Sequence, residues 1–292
     1  MAKARAIVKQ RKSVQNIRKI TRTMQLIATS RFQSAMQRAN RSKAYMEQFL
    51  SVVQRLSRAE PIRHPLLEPH PESKRSVLIV LTGNRGLCGA YNISILREAE
   101  GQIAIREQKG QEIELIVSGR KGIRHFEFEG RTLATGLTVF EHQPQFVAVE
   151  PIATAVMDAY TRQRVDSAHV TYMHFETASQ QVVRTIQLLP LQHPPQEEQE
   201  QLDTKLVTEY DVIPPPAELL GDLLPQGVKL QLFQCFIHAA VSEQVARMIA
   251  MKSATESAGN MIRKLTQQYN RARQSQITLE LLDIMGGAEA LK

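Results

Sequence analysis

The chain has 292 residues, a formal net charge of +8 and 42% apolar residues, with few aromatics and no Trp. No run of about 18 apolar residues exists, so no helix is expected to cross a membrane, and the start lacks an apolar signal-peptide core. Its Arg-rich composition also suits an organellar transit peptide, but a helical pattern running unbroken over the first 58 residues reads as mature structure. Two cysteines, Cys88 and Cys235, make neither a disulfide framework nor a metal site. They read as reduced, small apolar residues of a cytosolic protein. The charge is unevenly placed. Residues 1–58 hold fourteen Lys/Arg against one acid, Glu47; residues 59–225 are net −8; residues 226–292 are net +3. A segment so basic implies an acidic partner surface, nucleic acid or anionic lipid.

Residues 1–60 contain no Gly and no Pro, and apolar residues recur there at steps of three and four, which predicts one long helix of about 80–90 Å. Its seam is expected through Ile17, Ile20, Met24 and Ile27. The seam then shifts by one residue and resumes at Phe32, Ala35, Ala39, Met46, Phe49, Val53 and Leu56. A helix this long has no globular core to lie on, so it must pack along its seam. Pro61 and Pro65 are expected to end it, opening a linker over 61–75.

The middle segment, 76–216, alternates strand and helix. Residues 76–82 and 112–118 are apolar runs of strand length, and 91–107 and 146–164 read as helices. Residues 167–175 and 181–189 read as an antiparallel hairpin around 177–180. The order implies a mostly parallel sheet. Between the first strand and helix lies Gly83-Asn84-Arg85-Gly86-Leu87-Cys88-Gly89. Phosphate sites occupy that position in α/β folds, but the loop lacks the Lys-Ser/Thr pair of a P-loop and the dinucleotide spacing. It reads as a tight turn in which Gly supplies backbone freedom. The eight histidines form no ligand pair on a helix, and no nucleophile stands beside a base; neither a catalytic nor a cofactor or metal site is expected. The Pro194-Pro195 tract and the acidic residues after it read as an exposed loop, and Pro214-Pro215-Pro216 leads onward.

Residues 217–292 predict a second long helix, with a seam through Phe233, Phe236 or Ile237, Val241, Val245, Met248, Ala258, Ile262, Leu265, Tyr269 and Ala272. Gly286 and Gly287 are expected to stop it. The fold class expected is therefore α/β. A long antiparallel coiled coil of the N- and C-terminal helices carries an inserted Rossmann-like α/β domain.

Four stretches point to a family. They are the opening helix from Val14 to Ala28; Arg85-Gly86-Leu87-Cys88-Gly89 followed by Asn92; Ser242-Glu243, Arg247-Met248 and Ala250 to Thr255; and Tyr269 to Gln274 with Ile277-Thr278, Glu280 and Gly287-Ala288. Over essentially its whole length the chain resembles the gamma subunits of F-type ATP synthases. The resemblance implies a non-catalytic central shaft that transmits rotation between a membrane ring and a catalytic ring of alpha and beta subunits. It also implies contact with an epsilon subunit and the membrane c-ring, no cofactor, and only peripheral membrane association at the cytoplasmic face of a bacterial inner membrane. Carried over position by position, it makes Arg22, Gln25 and Arg31, and Arg273, Gln274, Thr278 and Glu280, the candidates that touch the alpha/beta ring. The chain departs from common family residues at Arg22, Gln25, Thr29-Ser30 and Arg31-Phe32, and it lacks the regulatory cysteine pair of the chloroplast form. Two other readings compete: a basic coiled coil that binds nucleic acid, which salt-sensitive DNA binding would reveal, and an α/β enzyme with helical extensions, which would turn over or bind nucleotide on its own.

Overall fold

A computed structural model describes residues 2–59, 64–70, 74–140, 143–191 and 215–289. Helix α1 spans Ala2–Ala59 and is followed by β1 (Arg75–Leu81), α2 (Tyr91–Gln108), β2 (Glu112–Ser118) and α3 (Arg120–Phe128). Then come β3 (Thr135–Leu137), α4 (Phe146–Thr161), β4 (Ser167–Phe175), β5 (Gln181–Leu189) and α5 (Pro216–Glu289). Contacts divide the chain into two units, one of residues 1–29 with 247–292, the other of residues 30–246.

The second unit holds one five-stranded sheet in the order β3-β2-β1-β4-β5. The β2, β3 and β4 pairings onto their neighbours from β1 outward are parallel. Only β4 with β5 is antiparallel, closed by Gln180 N–H donating to the Thr177 carbonyl. A parallel sheet is covered on both faces, and its strands are therefore apolar on both. Strand β1 shows this directly. Val77, Ile79 and Leu81 enter a core with α4 and with Val228, Leu232, Cys235, Phe236 and Ala239 of α5. Leu78 and Val80 enter a second core with α2 and Phe126 of α3. Each such fully buried aliphatic side chain is worth about 1.5–3 kcal/mol relative to exposure. A smaller cluster joins Val53 and Leu56 of α1 to Leu67, Leu220 and Leu224.

Two elements escape the sequence pattern. Helix α3 is short and charged, and β3 is a three-residue edge strand held by β2. The fourth helix is also shorter than expected: it ends at Thr161, and Gln163 takes a positive φ of 54°. Gly286 and Gly287 do not stop α5, which stays helical to Glu289. Glycine lowers helix propensity by roughly 1 kcal/mol without forbidding the conformation. Pro225 also lies inside α5. It removes one N–H donor, the one that would have met the Gly221 carbonyl, and the helix continues. The prolines at 61, 194, 195 and 214 and the acidic tract after 195 lie outside the described residues.

The first unit is a pair of helical segments. Val14, Ala258 and Leu265 are buried against one another, with Ile7 and Ile262 packed beside them. Val14, Thr21 and Ala28 are buried at intervals of seven, and so are Met251, Ala258 and Leu265. That interval is the heptad of a coiled-coil seam.

Candidate functional site

The heptad corrects the expected register of α1. Ile17 is 52% exposed and Ile20 59%, and Ile27 is exposed as well; of the four expected seam residues only Met24 is half-buried. The true seam lies one residue away in phase, on Val14, Thr21 and Ala28. In the other unit Ala35 is buried, and Phe32 and Ala39 are half-buried. Thr21 and Ala28 are small or polar, and the eye follows isoleucines instead. Their role becomes legible only against the partner strand of the pair. The Thr21 and Thr255 hydroxyls meet at 2.8 Å, and the Arg11 guanidinium lies 5.5 Å from the centre of the Tyr269 ring, within cation–π range. On α5, Leu265 is buried and Ile262 and Tyr269 are half-buried.

The outward face of this unit is cationic and partly apolar. Arg22 is exposed and donates to the Gln25 side chain at 3.2 Å. Arg31, half-buried, belongs to the other unit. On α5, Arg273, Gln274, Thr278 and Glu280 are all exposed. The Thr278 hydroxyl turns back to the Gln274 carbonyl at 3.0 Å, and Glu280 accepts from Gln276 at 2.8 Å. Sequence matching passed over what lies beside them. Leu279, Leu281, Leu282, Ile284 and Met285 are each more than half exposed. An exposed apolar cluster of this kind marks a protein partner. The available signal was the crowding of large apolar residues over 279–285 beyond what one helical stripe needs.

The Gly-rich loop is tied back onto its own fold. Gly83 N–H donates to the Asn92 side-chain oxygen at 2.8 Å. Asn84 bridges out to the Thr138 and Phe140 carbonyls and receives the Arg120 N–H. The crevice above β1, lined by Thr82, Tyr91 and Ser118, leaves about 20 Å³ because Phe236, Ala239, Ala240 and Glu243 of α5 fill it. Ligand pockets run to several hundred Å³. Larger cavities do lie in this unit, of about 650 and 910 Å³, between the second half of α1 and α5, and the larger also borders the β4–β5 hairpin. The larger is lined by three strongly perturbed groups, Cys235, Tyr172 and His238. Burial pushes the Cys235 thiol up to about 12 and the Tyr172 hydroxyl above its ordinary value. Burial, helped by the neighbouring His174, pulls His238 down to about 4. Burial thus favours the neutral form of all three at pH 7.

Among the described residues one mixed donor cluster stands out. His125 Nε2 lies 2.6 Å from Glu100 and 3.4 Å from Glu129. The three bind one another and pin α3 to α2. The short, charged sequence of α3 gives no sign of this pairing.

Residues 3–291 match the profile of a family described as ATP synthase. The chain is 45% identical to the ATP synthase gamma chain of Rhodopirellula baltica, each covered over its full length. It is 37% identical to that of a Nocardioides species, over 96% of this chain and 93% of that one. Its fold is like that of a chain in the Euglena gracilis mitochondrial ATP synthase, with a TM-score of 0.66 at 17% identity, covering 99% of this chain and 95% of that one. It also resembles a chain in the central stalk and c-ring of the Tetrahymena thermophila enzyme, with a TM-score of 0.57 at 21% identity, covering 80% and 99%.

Proposed function

Since the chain belongs to the ATP synthase gamma family, whose members are non-catalytic central-stalk subunits, we propose that its paired helices turn inside a ring of alpha and beta subunits. The observation that carries this is the outward face of the first unit. It combines exposed Arg22, Arg273 and Glu280 with an unburied apolar end of α5. A shaft turning in a sleeve needs charge-steered contacts that form and release. A uniformly apolar surface would bind one position of the sleeve and stay there. In this reading Arg22, Gln25, Arg31, Arg273, Gln274, Thr278 and Glu280 meet the ring, and residues 76–216 form the base toward an epsilon subunit and the membrane c-ring.

The complex is membrane-associated, while no described helix of this chain is long and apolar enough to cross a membrane. The chain then sits peripherally, at the cytoplasmic face of a bacterial inner membrane. The nucleic-acid reading has no support in the family or in the relatives, and the purified chain is expected to bind DNA only weakly. The decisive experiment mixes the chain with alpha and beta subunits. Restored ATPase activity with rotation is expected; a mixture that stays inactive overturns the proposal.

A further inference from the structure

The Gly83–Gly89 loop and the Ser242-Glu243 pair are two of the most specific stretches of the chain, and neither is absorbed by the ring-facing surface. The fold brings them together. A Cβ on Gly83 would lie 2.9 Å from Glu243 Oε1 and 3.0 Å from its Cδ, so the carboxylate of α5 occupies the space that a side chain would take. Asn92 holds the backbone of that notch through the Gly83 N–H, and the same side-chain oxygen lies 3.4 Å from the same point. Two further directed bonds flank it. The Tyr91 hydroxyl donates to the Ala239 carbonyl at 3.1 Å, and the Ser242 hydroxyl donates to the Met173 carbonyl at 3.2 Å. Ser242 is fully buried.

We infer that Glu243, seated in the Gly83 notch, is a positioning residue that sets the rotation of α5 about its own axis on the sheet. The apolar core beneath, from Val228 to Ala239, resists separation of helix and sheet. Burial is non-directional, however, and a smooth apolar contact tolerates small turns of the helix about its axis. Hydrogen bonds and a carboxylate in a close-fitting notch do not. The inference rests on the rotor reading. There, the base domain is driven at one end and α5 must deliver the angle at the other, so angular play at this joint is lost coupling.

The test uses the full chain assembled into the membrane enzyme in sealed vesicles, with ATP hydrolysis and ATP-driven proton uptake measured on the same preparation. The variants are Gly83→Ala, which displaces only the flexible end of Glu243, Glu243→Ala, and the pair. Each single variant is expected to keep hydrolysis within about twofold of the parent while proton uptake per ATP falls at least about twofold, the factor corresponding to the ~0.5 kcal/mol low end for contacting neighbours. The double variant is expected to be no worse than either single one, because all three break the same contact. Unchanged coupling, multiplied defects in the double variant, or hydrolysis and uptake falling in equal proportion would each overturn the inference. Wild-type activity in the same vesicles separates such a failure from failure of the rotor reading.

Discussion

The corrected seam makes a comparison between two substitutions on opposite sides of it informative. Leu265 is 5% exposed and packs with Val14 and Ala258. Leu→Ala in a packed site costs about 2–5 kcal/mol. A seam two helices wide lets water reach the hole, so the low end, about 2–3 kcal/mol, applies. Ile20 is 59% exposed. Only some two-fifths of the roughly 1.5–3 kcal/mol available to a buried Ile is at stake there, about 1 kcal/mol. Alanine returns about 0.4 kcal/mol of that through better helix propensity. Ile20→Ala should therefore cost about 0.5 kcal/mol. For a unit of this size 1 kcal/mol shifts Tm by roughly 4–8 °C. Leu265→Ala should then lower the melting of the paired helices by about 10–20 °C, and Ile20→Ala by less than about 4 °C. Far-UV circular dichroism melts, with amide exchange over 247–292 to isolate this unit, provide the readout. If Ile20→Ala proved as costly as Leu265→Ala, the seam would run where the isoleucines are and the heptad on Val14, Thr21 and Ala28 would be wrong.

Other outcomes follow from the same geometry. Gly119 holds a φ of +100°, and a Cβ there would lie 2.2 Å from the Thr82 carbonyl oxygen. Gly119→Ala should cost at least about 2 kcal/mol, read as a lower urea midpoint; an unchanged midpoint would refute the close approach. Leu281→Asp with Leu282→Asp should leave the melting of the isolated chain within about 0.5 kcal/mol yet prevent stimulation of alpha/beta ATPase. Full stimulation would remove the apolar tip from the interface. Burial holds both His169 and His238 near pKa 4, below the ordinary 6.5. Their neutral forms are the folded ones, so their contribution is complete above about pH 6.5 and is lost as pH falls toward 4. After discounting for partial exposure, each is worth about 2 kcal/mol. His238→Gln should flatten the fall in stability between pH 6.5 and 4, and a parallel pH profile would count against the assignment.

Much of this architecture is written locally. The absence of Gly and Pro over the first 60 residues leaves the backbone no reason to break, and α1 runs Ala2–Ala59 accordingly. Strands β1, β2, β4 and β5 stand out as short apolar or alternating runs, and the alternation of the first strands with helices already implies a mostly parallel sheet. Composition alone also places the cationic surplus on the first helix, whichever way it faces.

The tertiary structure decided the facing. Ile17 and Thr21 sit equally well on an isolated helix; only the partner segment, with Thr255 opposite Thr21, selects which is buried. The Gly83 loop has the form of a ligand site until Glu243, 160 positions further on, fills its notch. Helix α3 and strand β3 exist because the edge of β2 and the surface of α2 offer hydrogen bonds and ion pairs that their own charged sequence does not advertise. Local sequence states what each segment is able to form. Which face of it is wet, and which loop is filled, depends on contacts between residues far apart in the chain.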